Sequence, residues 1–175
     1  MTQQQKKRKE LLAQSLFELL KHEAIEKITV DQICHVAEVH RSTFYRYFRD
    51  KYDLMHFAFE KLMLARIEGE HFVDAMIEMI LKNKEVFRNI SINNNNNTLY
   101  WIMVDMLSQQ LLDAQKEGRL HELEWIGNDI KLSIAPLLAA KMYAGAFLTI
   151  IFEWINSNYQ MDPQELSLFI KNLHK

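Results

Sequence analysis

Glycine, proline and cysteine are all scarce in this chain of 175 residues, which has four, two and one of them. Gly and Pro are the commonest breakers of regular structure, and both Pro follow residue 130, so the composition favours long helices over a many-turned β fold. The lone Cys34 excludes a disulfide framework within the chain. No charged and then apolar signal segment opens the sequence, and together these features predict an all-α globular protein of the reducing cytoplasm.

Long uncharged apolar runs are absent as well. The most apolar stretch, residues 134–155, is interrupted by Pro136, Lys141 and Glu153, which leaves eleven residues in a row without a charge. A transmembrane helix needs about 20 predominantly apolar residues. We therefore expect this stretch to be a buried helix, and the membrane is not a predicted partner.

Basic and acidic residues are distributed unevenly along the chain. Residues 1–52 hold ten Lys and Arg against seven Asp and Glu, whereas the rest of the chain holds eleven against sixteen. The net charge of −2 therefore conceals a basic N-terminal part, which is the part that a polyanion such as DNA would prefer. An ordinary solvated surface explains a charge excess of this size equally well.

Apolar periodicity divides the chain into two predicted domains, residues 1–52 and residues 53–175. In the first domain, a polar and basic arm at residues 3–9 is expected to be frayed and to lead into a helix with leucines at helical spacing. The second domain is predicted to contain helices near residues 70–88, 98–116, 119–132, 134–157 and 162–173. Five consecutive Asn at 93–97 predict a loop, because Asn side chains compete for backbone hydrogen bonds.

Two short helices are predicted directly after the first one. Thr29 is the expected N-cap of the earlier helix, because acidic and polar residues follow it in the first turn. After a link at residues 37–40, the later helix occupies residues 41–48 and directs Phe44 and Phe48, an i,i+4 pair, toward the core. The pattern is that of a helix-turn-helix, which can place its second helix in the major groove of DNA.

The exposed positions of the later helix are rich in hydrogen-bond donors. Because a recognition helix contacts bases with its N-terminal residues, four side chains are predicted to reach base edges: Arg41, Ser42, Thr43 and Tyr45. Phosphate contacts are predicted for Tyr47, Lys51 and the backbone amides near Thr29.

The segments ITVDQI at residues 28–33 and RSTFYRYFRDK at residues 41–51 together resemble the DNA-binding signature of the TetR family of regulators. The Thr-Phe-Tyr-x-x-Phe-x-x-Lys arrangement in the second segment is far more restrictive than a generic helix-turn-helix pattern. The resemblance implies an all-α homodimer in which the first three helices bind DNA and the others sense an effector and dimerise. It also implies DNA contacts by Thr43, Tyr45, Tyr47 and Lys51.

Three positions depart from the family pattern. Glu38 occupies a turn position where the family often has Gly, His40 replaces a frequent Ser, and Cys34 stands where a small Ala is usual. A residue other than Gly with a positive φ costs about 1 kcal/mol, so the departures concern the turn geometry rather than the fold.

The C-terminal part is similar to one branch of the family, the branch that includes the dihydroxyacetone-kinase activator. The similar segments are NKEVF at residues 83–87, YAGAF at 143–147 and FEW at 152–154. Some members of this branch activate or respond to protein partners. An activator that works with a protein partner is therefore the alternative to a repressor that a small molecule releases.

Candidates for an effector pocket are large aromatic side chains with a polar group, namely Tyr100, Trp101, Trp125 and Tyr143. Core packing or a dimer interface accounts for most other apolar positions equally well. No cofactor and no metal site is predicted, since none of the seven His forms a tight ligand pair. A metal sensor built from Cys34 or His35 with His56 or His71 is the weaker alternative.

Enzyme motifs are not found either: the sequence has no Gly-rich phosphate loop, nucleophile elbow or paired metal motif, so no enzymatic activity is predicted. A helical protein-interaction module without DNA binding is the remaining alternative, and it predicts that Arg41, Arg46 and Lys51 can be neutralised without loss of function. The preferred prediction is a homodimeric repressor that binds a pseudo-palindromic operator in double-stranded DNA. Its half-sites would lie about one helical turn, roughly 34–36 Å, apart, or further apart if two dimers bind.

Overall fold

The computed structural model describes residues 2–62, 71–91 and 98–174, and the regular structure of these segments is entirely helical. Ten α-helices lie in the described part of the chain: α1 (Gln3–Leu20), α2 (Val30–Val36), α3 (Arg41–Tyr47), α4 (Lys51–Leu62), α5 (Phe72–Lys82), α6 (Lys84–Ser91), α7 (Thr98–Lys116), α8 (Glu124–Leu132), α9 (Pro136–Asn156) and α10 (Pro163–Lys171). A short 3₁₀ helix at His121–Leu123 precedes α8. The predicted all-α fold is confirmed, whereas the predicted Asn loop at 93–97 lies outside the described residues.

The chain divides into two compact units. The N-terminal unit comprises Met1–Arg66 and Asn83–Asn95 and includes α1 to α4 and α6. The C-terminal unit comprises Ile67–Lys82 and Asn96–Lys175 and includes α5 and α7 to α10.

The first helix begins earlier than the sequence predicts. The Thr2 hydroxyl accepts a hydrogen bond from the Gln5 amide at 3.3 Å, and the Gln5 side chain accepts one from the Thr2 amide at 2.9 Å. This capping box satisfies amides that would otherwise be exposed, so the prediction of a frayed arm at residues 3–9 is wrong. The helix then buries Leu12, Leu16 and Leu20 and packs against α2, α4 and α6.

A single helix predicted over residues 70–88 is in fact two helices, separated at Asn83. The α5 helix buries Val73 and Ile77 in the C-terminal unit, whereas α6 buries Phe87 and Ile90 in the N-terminal unit. The apolar periodicity of the two segments is similar, so the sequence pattern alone did not separate them. Asn is a weak helix former and favours the turn that the structure has at this position.

The long helix α9 packs against α7 and α8 in the C-terminal unit. Its inner face includes Ala140, Ala144 and Phe147, which are buried, while Leu138 and Met142 are exposed on another face. The prediction that this stretch is buried therefore holds for one side of the helix only. By length and composition α9 could also cross a membrane, a property that it shares with core helices of soluble proteins.

Candidate nucleic-acid interface

The start of α2 is fixed by the N-cap that the sequence predicts. The Thr29 hydroxyl accepts a hydrogen bond from the Gln32 amide at 3.2 Å, and the Gln32 side-chain oxygen accepts one from the Thr29 amide at 2.7 Å. The amide group of Gln32 also donates to the Glu23 carboxylate at 2.9 Å, which ties α2 to the end of the preceding turn. The predicted cap is confirmed, and the Thr29 hydroxyl is engaged in it.

The turn between α2 and α3 requires a left-handed residue, and Glu38 supplies it with a φ of 51°. Around it, the amide of Val39 donates to the Cys34 carbonyl at 3.0 Å, and the amide of Glu38 donates to the His35 carbonyl at 3.2 Å. These two bonds form a Schellman motif, which ends α2 at a defined residue. The turn is therefore built as in a Gly-containing motif, with a conformational cost of about 1 kcal/mol for the glutamate.

Two phenylalanines anchor α3 to the N-terminal unit. Phe44 has no exposed surface and Phe48 is also buried, which confirms their predicted place in the core. The Phe48 ring lies 5.5 Å from that of Phe57 on α4, and the Lys9 ammonium of α1 lies 4.4 Å from the Phe57 ring centroid. The Lys9 ammonium also lies 5.1 Å from the Phe48 ring centroid, and α2 packs against α3. Because these contacts hold one face of α3, its opposite face is presented to solvent.

The outward face of α3 carries the side chains that the sequence predicts as base contacts. Arg41, Ser42 and Tyr45 are exposed, and Thr43 and Tyr47 are half-buried. This face combines a cation, hydroxyl groups and aromatic rings, which can bond base edges and phosphate oxygens in a major groove. The side chains predicted from the sequence therefore share one helix with the buried Phe44 at its back.

Arg41 is held by two neighbours in the free protein. Its Nη1 donates to both carboxylate oxygens of Asp31, each at 3.0 Å, and its Nη2 donates to the Tyr45 hydroxyl at 3.2 Å. The hydrogen bond to Tyr45 and the charge of Asp31 raise the pKa of Arg41. Sequence reasoning missed Asp31 as a partner, because its position in the first turn of α2 already had an explanation in the helix dipole.

Lys51 lies at the first position of α4 and is bound to backbone rather than free. Its Nζ donates to the carbonyls of Glu26 and Ile28 at 2.9 and 2.8 Å. Burial lowers the pKa of Lys51, and the charge of Glu26 opposes this change. The ammonium group thus joins α4 to the segment between α1 and α2, a contact that no sequence pattern indicated. Asp50 caps the same helix by accepting the Tyr52 and Asp53 amides, both at 2.9 Å.

The four predicted effector residues form two aromatic pairs in the C-terminal unit. The rings of Tyr100 and Trp101 lie 5.6 Å apart, and the Tyr100 hydroxyl donates to the Gly145 carbonyl at 3.2 Å. The rings of Trp125 and Tyr143 lie 5.5 Å apart. Tyr143 and Gly145 are two positions apart on α9 and so point to nearly opposite sides of the helix. The structure therefore brings the four residues together as pairs rather than as one group.

The pair of Trp125 and Tyr143 has unusual polar contacts. The Tyr143 hydroxyl donates to the Asp129 carboxylate, and burial together with this carboxylate raises the pKa of Tyr143 to about 12. The His174 ring stacks on that of Trp125, with the two ring centroids 5.1 Å apart. The indole Nε1 of Trp125 is buried, and the described part of the chain offers it no acceptor.

One cluster of possible metal ligands is found among the described residues, formed by His71, Asp74 and Glu122. Of the metal ligands considered from the sequence, His71 belongs to this cluster, whereas Cys34, His35 and His56 do not. The Lys171 ammonium lies between the two carboxylates, 2.7 Å from Asp74 and 2.8 Å from Glu122. Lys171 therefore supplies the positive charge that a metal ion would bring to this cluster.

A helix-turn-helix with an exposed second helix, followed by a further helical unit, is an architecture typical of DNA-binding transcription regulators. Residues 14–57 match the family model of bacterial regulatory proteins of the tetR family, and residues 68–175 match a model of the transcriptional regulator C-terminal region. The chain belongs to the TetR family of transcriptional regulators.

Two solved structures are similar to the chain, and the first of them supports this fold. The chain is similar to the dihydroxyacetone kinase operon activator DhaS, with a TM-score of 0.59 and 19% identity over 95% of this chain and 93% of that one. It is also similar to the fatty acid degradation regulator FadR from Bacillus halodurans, with a TM-score of 0.49 and 16% identity over the same shares. No curated protein sequence matches the chain significantly.

Proposed function

We propose that this DNA-binding regulator acts as a cytoplasmic homodimer on a pseudo-palindromic operator, with α3 of each protomer in one of two successive major grooves. The observation that carries the proposal is the outward face of α3, which is anchored from behind by Phe44 and Phe48. A recognition helix in the major groove contacts bases with its N-terminal turn. Two protomers related by a two-fold axis would present two such turns about one helical repeat apart.

The contacts divide into two groups by their position on the interface. Base edges are assigned to Arg41, Ser42, Thr43 and Tyr45, which occupy the first turns of α3. Phosphates are assigned to Tyr47, to Lys51 and to the amides near Thr29. The Lys51 ammonium is bonded to the Ile28 carbonyl and therefore lies in space beside the positive end of the α2 dipole. Charge contacts of the second group set affinity and salt dependence, whereas the first group sets sequence preference.

Dimerisation is assigned to an apolar surface on the C-terminal unit. Three exposed apolar residues follow one another at intervals of four positions: Ile134, which lies two positions before α9, and Leu138 and Met142 on α9. The exposed fraction of Leu138 is 67%. Leu168 and Phe169 on α10 are exposed as well. Large apolar side chains that are exposed in this way are typical of a protein-protein interface, and a second copy of the chain is the partner that the family's usual symmetry suggests.

A substitution tests the dimer surface directly. Leu138→Asp places a charge within the surface and is expected to convert the dimer to a monomer in sedimentation equilibrium, with a loss of operator affinity. Asn128→Asp, at an exposed position of α8, is the matched control and should leave the dimer intact. A dimer that survives Leu138→Asp at micromolar concentration would place the interface elsewhere.

The sign of regulation is proposed as repression that a small-molecule effector relieves. The buried and unpartnered Nε1 of Trp125, next to Tyr143, supports an effector site there, because such a group needs an acceptor. An effector lowers DNA affinity only by as much as it prefers the form that does not fit the operator. The alternative is an activator that works with a protein partner. The observation in support of this alternative is the similar fold of DhaS, which is an operon activator.

Selection and sequencing of genomic fragments bound by the purified protein tests the central proposal, with the mass of the complex determined alongside. An enriched inverted repeat bound by an even number of chains is expected. A reporter fused to that operator then separates repression from activation, since deletion of the regulator raises expression in the first case and lowers it in the second. No enrichment even at low salt, where phosphate contacts are strongest, would contradict the proposed operator.

A further inference from the structure

We propose that Asp31 increases the preference of the DNA interface for one base pair by positioning Arg41, although Asp31 itself does not bind DNA. The inference rests on the base contact of Arg41 proposed above. Asp31 lies in the first turn of α2, and Arg41 is the first residue of α3. Their side chains meet across the turn, with Nη1 of Arg41 at 3.0 Å from each carboxylate oxygen.

The guanidinium group is constrained on a second side by its own helix. Its Nη2 donates to the Tyr45 hydroxyl at 3.2 Å, and its central carbon lies 5.5 Å from the centre of the Tyr45 ring. Asp31 and Tyr45 thus hold Arg41 from two different helices. A long arginine side chain that is held in this way loses less rotamer freedom when it bonds a base edge than one that is mobile.

Helix capping does not account for the carboxylate of Asp31. The Thr29 hydroxyl and the Gln32 side chain already form the capping box of α2. The Asp31 carboxylate is bonded to Arg41 and is 67% exposed as a side chain. The charge also interacts favourably with the α2 dipole. On a DNA-facing surface, however, a negative charge opposes binding to every phosphate backbone, so any benefit of Asp31 for DNA recognition lies in the direction that it imposes on Arg41.

The Asp31 charge is expected to weaken binding to all DNA and, through Arg41, to strengthen the preference for one base pair. One substitution separates these two effects. Asp31→Asn removes the charge and keeps the shape, so affinity for non-specific DNA is expected to rise. At the same time the preference for the base pair that Arg41 contacts is expected to fall by about two- to five-fold, the range that couplings of exposed ion pairs cover. A purely structural role of Asp31 in α2 would weaken binding to all sequences and leave that preference unchanged.

The experiment measures equilibrium binding of the full chain to the selected operator, to each single-base variant of one half-site and to unrelated DNA. The variants are Asp31→Asn, Arg41→Ala, the double variant, and Glu10→Gln as a control that removes one negative charge from α1. In the Arg41→Ala background, Asp31→Asn should raise affinity for all sequences by the same factor and leave the base preference unchanged, since no guanidinium remains to be positioned. Glu10→Gln should change affinity for all sequences by the same factor.

Each result decides one point. If Arg41→Ala relaxes the preference at one base pair and Asp31→Asn relaxes it at the same pair, the positioning role is established. If Arg41→Ala relaxes a base pair while Asp31→Asn leaves the preference as in the unchanged protein, the positioning role is refuted and the base contact stands. If Arg41→Ala leaves every preference unchanged, the base contact of Arg41 fails, and the positioning role fails with it.

Discussion

Replacement of Lys51 by Met tests how one side chain contributes both to the fold and to DNA binding. The substitution removes a charge and two hydrogen bonds, those from Nζ to the carbonyls of Glu26 and Ile28 at 2.9 and 2.8 Å, but keeps most of the apolar stem. Hydrogen bonds from charged donors contribute about 1.5–3 kcal/mol each. Because the side chain is half-buried and water can reach the site, we expect a total loss of about 2 kcal/mol in the free energy of unfolding.

Urea unfolding followed by far-ultraviolet circular dichroism measures that loss. Tryptophan fluorescence provides an internal reference, since Trp101, Trp125 and Trp154 all lie in the C-terminal unit and report on it alone. Lys61→Met is the matched control: Lys61 is on the same helix, and its ammonium pairs with Glu60 at 3.0 Å on the surface. A change within about 0.5 kcal/mol is expected for this control.

The salt dependence of operator binding measures the other contribution of Lys51. An ammonium group has three donors, and two of those of Lys51 are engaged in the protein, so one donor and the full charge remain for a phosphate. Loss of one phosphate contact lowers the slope of log K against log salt by about 0.9. An unchanged unfolding midpoint would refute the role of the two carbonyl contacts, and a slope equal to that of Lys61→Met would refute the phosphate contact.

Three further substitutions test other parts of the structure. Phe44→Ala empties a fully buried site and should cost about 3–5 kcal/mol and abolish operator binding, as measured by urea unfolding and gel shift. Glu38→Gly should stabilise the N-terminal unit by about 1 kcal/mol, because Gly adopts the φ of 51° without strain, and an unchanged midpoint would contradict this. Glu122 raises the pKa of His71, so the stability from this pair is complete below the ordinary pKa of 6.5 and is lost as the pH rises through the higher folded value. Tryptophan-detected melts of His71→Ala should therefore lack that loss above neutral pH, but keep the acid-side loss expected from Asp74, whose pKa Lys171 and Ser167 lower.

The helix-turn-helix could be predicted from sequence because its signals are local. The Thr29 cap and the burial of Phe44 each depend on residues within a few positions of one another, and both are confirmed. The positive φ of Glu38 agrees with the family pattern, in which Gly often occupies this position. The prediction of a single helix over residues 70–88 is wrong because its apolar pattern is ambiguous. The apolar periodicity continues through Asn83 without revealing that α5 and α6 contribute to different cores.

Contacts between distant residues could not be predicted in the same way. Lys171 and Asp74 are 97 positions apart, and the ion pair between them depends on the packing of α5 against α10. Asp31 and Arg41 are only ten positions apart, but their contact requires the two helices to meet at the angle that the Schellman turn imposes. No spacing rule connects an acidic residue in one helix with a basic residue across such a turn.

Arg41 and Lys51, the two charged side chains assigned to DNA contacts, already have hydrogen-bond partners in the free protein. These partners affect how much each side chain can contribute to DNA affinity. Lys51 keeps its two carbonyl partners when a phosphate approaches, because its third donor can be used, so its charge is placed in advance and adds affinity for any sequence. Arg41 must share its guanidinium between Asp31, Tyr45 and a base, so its gain depends on whether the base edge lies in the direction already fixed. A base in the wrong direction must draw Arg41 away from Asp31. The same ion pair that weakens overall DNA affinity thereby increases the difference between a correct and an incorrect operator.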